Sequence, residues 1–294
     1  MAKIALEVEQ ALARRQRTGE PGGAVGNLLA RGDGWVVEDV VCNSGPRDRT
    51  FEEFHSSFSI AMVAVGTFQY RSEAGRALMT PGSLLLGNAG NCFECGHEHA
   101  AGDRCIAFRY SREFMETIAR DAGVKRPKFG IPRLPPLREF SSLFARALCG
   151  VSMLIEVDWE EIAIALAGRA TQIANGESGD RLRNLPPSSQ ARVTCALRRV
   201  DRSANDELNL ATLSSEAGLS RYHFLRVFER ITGLTPHQYV LRARLREAAM
   251  RLAAEESRVL DIALESGFGD VSNFNRAFRS EFGVSPREYR ARVA

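Results

Sequence analysis

SRYHFLRVFERITGLTPHQY, residues 220–239, returns fifty residues later as DVSNFNRAFRSEFGVSPREY, residues 270–289. Phe224 aligns with Phe274, Arg226 with Arg276 and Phe228 with Phe278; Gly233, Pro236 and Tyr239 align with Gly283, Pro286 and Tyr289. Upstream, LSSEAGLS (213–220) parallels IALESGFGD (262–270), with one extra residue in the turn. Self-similarity at a fixed offset marks a duplicated supersecondary unit. Each copy reads as a short helix, a glycine turn, and a second helix opened by Ser220 or Asp270, residue types that cap helix N-termini. That order is the helix-turn-helix pattern, in which small residues let two helices cross closely while the capped second helix projects outward.

The repeated phenylalanines face a core and leave the opposite helix face free. That face carries Arg221, Tyr222, Leu225 and Arg226 in the first copy, and Val271, Ser272, Asn275 and Arg276 in the second. Arg and Asn have the forked donors and acceptors that read base edges in a major groove. A generic helical repeat for protein binding would leave both outward arginines unexplained. Between the copies, Thr235 and Pro236 open a long helix running to about Ala254. At about 1.5 Å per residue it is roughly 28 Å long. Such a spacer suits two recognition helices about 34 Å apart, one turn of DNA.

Charge is distributed to match. From Gln190 to the C-terminus there are 17 Arg, no Lys and 13 Asp or Glu, a net +4; the preceding segment has 22 basic against 23 acidic residues. Guanidinium groups pair bidentately with phosphate, so an all-arginine surplus suits nucleic acid.

On these residues, 190–294 resembles the DNA-binding domain of the AraC/XylS family of bacterial transcription regulators. The most diagnostic stretch is DIALESGFGDVSNFNRAFRSEFGVSPREYR, 261–290. The resemblance implies seven helices with two helix-turn-helix units, and DNA contacts at Arg221, Tyr222, Leu225, Arg226, Val271, Ser272, Asn275 and Arg276. The apolar Leu225 and Val271 either touch thymine methyls or pack. It further implies double-stranded promoter DNA and RNA polymerase as partners, with activation as the expected sign and no enzymatic activity.

Toward the N-terminus the pattern changes. Residues 34–110 hold strand-like runs such as WVVEDVV, FSIAMVAVGTFQYR and CIAFRY, punctuated by glycines, which predicts an antiparallel barrel or sandwich. GRALMTPGSLLLGNAG, 75–90, is similar to a cupin hairpin with Pro81-Gly82 at its turn. The expected fold class is therefore α+β in two domains: an N-terminal cupin-like β-barrel plus helices, and a C-terminal all-α domain. The boundaries expected are a flexible leader over 1–24, the cupin-like sensor or dimerisation barrel over 25–110, a helical extension over 111–178, a linker over 179–189 and the DNA-binding domain over 190–294. Within the extension, Leu137, Phe140, Phe144 and Leu148 share one helical face, and Trp159, Ile162, Ala163, Leu166, Ala170 and Ile173 share another. They pack within their own domain or form a homodimer contact. A small-molecule effector of unknown identity is expected in the cupin-like part. A cupin-type metal-binding enzyme tethered to DNA is the alternative, and it lacks the carboxylate and final histidine at cupin spacing.

NCFECGHEHAAGDRC, 91–105, holds three of the six cysteines and two of the five histidines. In an extended chain, alternation places Cys95, His97 and His99 on one face. Thiolate and imidazole suit zinc or another borderline-soft metal, with Cys92 or Cys105 as a fourth ligand and His55 just before a strand that can approach. Thiol chemistry and simple packing of small polarizable side chains remain open beside it. The apolar runs are too short to cross a bilayer, the N-terminus has no continuous apolar stretch for export, and the six scattered cysteines suit a reducing cytoplasm.

Overall fold

The structure, a computed structural model, describes residues 2–176, 186–206 and 208–293. Of the linker expected over 179–189, residues 179–185 lie outside this range. The chain divides into two compact units: Ala2–Leu137 with Asp158–Ala191, and Arg138–Val157 with Arg192–Ala294.

The first unit begins with helix α1 (Ala2–Thr18) and continues through strands β1 (Ala24–Gly32), β2 (Trp35–Cys42), β3 (Phe51–Phe54), β4 (Phe58–Gly66), β5 (Phe68–Ser72), β6 (Gly75–Met79), β7 (Leu84–Gly87), β8 (Cys92–Gly96) and β9 (Asp103–Tyr110). Helix α2 (Arg112–Asp121), the short strand β10 (Arg133–Leu134) and helix α4 (Trp159–Gly176) complete it. The strands form a six-stranded sheet, β1-β2-β9-β4-β7-β10, and a four-stranded sheet, β3-β8-β5-β6. Every pairing is antiparallel.

The expected closed barrel is therefore corrected to two separate sheets. The chain leaves the larger sheet at Gly66-Thr67, where φ of Gly66 is +83° and a Cβ would stand 2.3 Å from the Gly102 carbonyl oxygen. It returns through Thr80–Ser83. Ser83 Oγ accepts from Thr80 N at 3.1 Å and donates to Thr80 O at 2.7 Å, locking that turn. Strands β6 and β7, read from sequence as one hairpin about Pro81-Gly82, thus belong to different sheets.

The leader is also corrected. Ile4 and Val8, one turn apart on α1, are buried, and the helix packs on β2, β9 and β4. Arg15 pairs bidentately with Asp48 at 2.7 and 2.6 Å, tying down its C-terminal end. Helix α4 packs on α2 and β2 through the predicted stripe of Ile162, Ala163, Leu166 and Ala170. Tyr110 Oη donates to Ala163 O at 2.9 Å.

The second unit contains helix α3 (Ser141–Val151), the Arg192–Arg202 part of α5 (Pro187–Arg202), and helices α6 (Leu210–Glu216), α7 (Arg221–Thr232), α8 (Pro236–Ala254), α9 (Val259–Glu265), α10 (Val271–Phe282) and α11 (Pro286–Val293). From α5 onward these are the seven helices the resemblance implied. The helical extension expected over 111–178 is split, because α3 joins this unit. Its Leu143, Phe144, Ala145, Ala147, Leu148 and Cys149 are all buried, so it is apolar around most of its circumference and needs cover on several sides. Ala145 enters the core formed by Leu245, Ala248, Leu252, Ile262, Phe274, Phe278 and Tyr289. Phe144 lies 5.7 Å from the guanidinium of the buried Arg246.

Candidate functional site

Local sequence sets both helix-turn-helix units. Asn209 caps α6, accepting from Thr212 N at 2.9 Å, and Ser220 Oγ caps α7, accepting from His223 N at 3.3 Å. In the second unit Asp270 caps α10, its Oδ1 accepting from Asn273 N at 2.7 Å. Helix α7 ends at Gly233 and α10 at Gly283, both left-handed with φ of 81° and 78°. Thr235 and Gln238 form a reciprocal capping box on α8, with Pro236 in its first turn. Arg244 of α8 donates to Gly267 O at 2.8 Å and Ala204 O at 2.7 Å, fixing the turn of the second unit to the spacer helix.

Phe224, Phe228, Phe274 and Phe278 are fully buried, which orients the other side of α7 and α10 outward. On that side Arg221, Tyr222, Arg226, Ser272, Asn275 and Arg276 are exposed, while Leu225 and Val271 are half-buried. Tyr222 is 70% exposed, and the Arg226 guanidinium sits 5.7 Å from its ring centre. That distance is within cation–π range. Arg276 instead donates to Asn273 Oδ1 at 3.2 Å. Position by position, Arg221 matches Val271, Tyr222 matches Ser272 and Leu225 matches Asn275, so only Arg226 and Arg276 are alike. The two faces present different chemistry.

The cysteine–histidine stretch is only partly brought together. Cys92 is exposed, and His99 is half-buried with its Nε2 3.7 Å from Glu98. His55 is buried on the wall of the cavity that Cys95 and His97 also line, its Nε2 2.9 Å from Tyr70 Oη and its ring stacked 4.0 Å from Phe93. Burial, then the charge of Arg109, pulls its pKa down to about 4, so His55 is neutral at physiological pH.

His97, in contrast, meets residues the sequence did not single out. Its Nε2 lies 2.6 Å from Asp103 Oδ2, and Cys42, His97 and Asp103 place potential ligand atoms within 4.8 Å of one another, all buried. Cys42 and Asp103 are register partners across β2 and β9. Cys105 Sγ donates to Asp103 Oδ1 at 3.4 Å. Burial, reinforced by the Asp103 charge, pushes the Cys42 thiol up to about 11 and those of Cys95 and Cys105 well above the usual value. These three lack the lowered pKa that a reactive thiolate needs. They line a cavity of about 220 Å³ together with His97, Asp103, Phe93 and Arg109.

A helix-turn-helix domain family matches residues 213–292. PqrA of Proteus vulgaris, named as a transcription factor, is 35% identical over 86 residues, 29% of this chain and 70% of PqrA. The regulatory protein SoxS of Salmonella typhimurium is 30% identical over 106 residues, 36% of this chain and 99% of SoxS. The transcriptional activator RhaS of Escherichia coli is 36% identical over 103 residues, 35% of this chain and only 37% of RhaS. These relatives each match about a third of this chain, and the family model matches within its C-terminal part, residues 213–292.

Proposed function

This chain belongs to the AraC/XylS family of DNA-binding transcription regulators, and from that membership we propose that it reads two successive major grooves of promoter DNA and activates transcription under control of an effector. It is a regulator, not an enzyme. The observation that carries the reading is the duplication: two capped helices, α7 and α10, each with phenylalanines inward and an arginine outward. Arg226 and Arg276 contact base edges, with Arg221, Tyr222, Ser272 and Asn275 completing the two reading faces. Leu225 and Val271 offer apolar contact to thymine methyls. Because the faces differ, the two half-sites have different sequences.

The 190–294 segment does the reading, and 25–110 senses a small molecule or forms a homodimer and biases the DNA-bound geometry. The division of the strands into two antiparallel sheets, β1-β2-β9-β4-β7-β10 and β3-β8-β5-β6, supports a cupin-like reading, since cupins are double-sheet jelly rolls. RNA polymerase is the partner that activation requires. No helix among the described residues is long and apolar enough to cross a membrane; the cytoplasm, where promoter DNA is accessible, is the proposed location.

Arg276→Ala tests the assignment. Loss of a base contact should weaken binding to the cognate promoter by about 1–3 kcal/mol while leaving random-sequence DNA nearly unaffected. An equal loss on both, measured by titration at fixed salt, makes Arg276 a phosphate contact. No change on either removes it from the interface.

A further inference from the structure

We propose that Cys42, His97 and Asp103 form a binding site for a divalent transition metal of the zinc class inside the N-terminal unit. Three separate chain segments deliver the ligands. Cys42 ends β2, Asp103 begins β9 directly opposite it in register, and His97 follows β8. All three residues are buried, at 4%, 5% and 5% exposure. Their potential donor atoms already lie within 4.8 Å of one another. Ligand bonds of about 2.0–2.3 Å at tetrahedral angles put neighbouring ligand atoms roughly 3.3–3.8 Å apart, so small side-chain adjustments suffice.

A further observation points to a ligand and not to packing alone. His97 Nδ1 is buried with no hydrogen-bond partner among the described residues, an uncommon state for a buried ring nitrogen. A second thiol is at hand: Cys105, two residues along β9 on the same face, reaches Asp103 at 3.4 Å. Thiolate, imidazole and carboxylate together are a zinc-class donor set. The site adjoins the cavity of about 220 Å³, which Cys42, His97, Asp103 and Cys105 all help line. A bound ion would thus face a space large enough to admit a further small ligand.

The ligand set differs from the one that the contiguous stretch 91–105 suggested. Cys92 is exposed, and His55 is held by Tyr70 and Phe93. Neither belongs to the site. The existence of the site is independent of DNA binding; only its use as a signal input rests on the regulator reading.

The test uses the full chain, reduced, stripped with chelator and titrated anaerobically with Co²⁺. The expected result is one equivalent bound, with thiolate-to-cobalt charge-transfer absorption, displaced by Zn²⁺. Cys42→Ser and Asp103→Asn should each lose this stoichiometric binding. A Cys92→Ser/Cys195→Ser double variant, which removes the two exposed thiols, should keep it. Zn²⁺ should raise the melting temperature of the parent and the double variant, and not of Asp103→Asn, which serves if Cys42→Ser folds poorly. Absence of thiolate-coordinated cobalt in the folded parent overturns the proposal, as does retention in both buried-site variants or loss in the double variant. Promoter affinity is read separately. A chain that binds metal and no DNA refutes the regulator reading and leaves the site standing, while one that binds DNA and no metal does the reverse.

Discussion

Phe278→Ala is expected to destabilise the C-terminal helices by about 3–5 kcal/mol, the range for removing a buried aromatic side chain. Phe278 is fully buried on α10, and three rings surround it: Phe274 at 5.5 Å, Phe282 at 4.4 Å and Tyr289 at 5.4 Å between centroids. Each such pair adds about 0.5–1.5 kcal/mol beyond the apolar area it buries, which places Phe278 toward the top of the range. Its counterpart in the first repeat, Phe228, has two such neighbours, Phe224 at 5.4 Å and Tyr239 at 5.6 Å. Phe228→Ala should therefore cost somewhat less. Chemical denaturation followed through the helical signal measures both, and Phe278→Leu, which keeps much of the volume, should recover most of the loss. Equal stability of Phe278→Ala and the parent would mean that α10 is not packed as described. Since most domains are stable by only about 5–15 kcal/mol, promoter binding should fall with the fold.

Asp39→Ala is expected to cost the N-terminal unit about 3–5 kcal/mol, for an electrostatic reason. Arg104 is 2% exposed and pairs bidentately with Asp39, Nε to Oδ1 and Nη2 to Oδ2, both at 2.8 Å. Its Nη1 also donates to Ile4 O at 3.2 Å, so this pair holds the β2–β9 ladder and helix α1 together. Removing the carboxylate leaves a buried guanidinium with only the partly exposed Glu7, 3.0 Å away, to balance it. That residual partner sets the expected loss nearer the lower figure. The double variant Asp39→Leu/Arg104→Met should be markedly more stable than Asp39→Ala, because a buried pair replaced by packed apolar groups is often neutral. A shift in denaturation midpoint for Asp39→Ala no larger than for an exposed pair would show that Arg104 reaches water.

The C-terminal half was legible because its signals are local and doubled. Ser220 and Asp270 as caps, Gly233 and Gly283 as left-handed ends, and phenylalanines at helical spacing are all readable within twenty residues. Each copy checks the other. The strand-like runs of 34–110 were legible because their signals are also local, but the assembly of the strands was not. Which sheet β6 or β7 joins depends on turns at Gly66 and Pro81-Gly82 whose geometry is decided by distant contacts. Helix α1 escaped notice because its buried stripe is narrow, Ile4 and Val8 among the residues whose burial is described, in an otherwise polar sequence. The proposed metal site shows the limit most clearly. Cys92, Cys95, His97 and His99 are close in sequence, yet only His97 joins the cluster, and Cys42 arrives from about sixty residues away through the β2–β9 register. Spacing along a chain reports proximity within one strand; it carries no information about which strand lies alongside. The α3 segment was read as a one-faced helix, and its nearly complete burial in the unit containing α8 and α10 follows from an apolar composition that a single stripe does not convey.

If α7 and α10 read DNA together, the duplex should be protected at two places. Hydroxyl-radical footprinting of the full chain on its own upstream region tests this most directly. Two protected patches are expected on one face of the duplex, about 10–10.5 base pairs apart centre to centre. Arg226→Ala should weaken one patch and Arg276→Ala the other. A single patch that both variants weaken equally, or no protection at low salt, would contradict joint reading by the two helices.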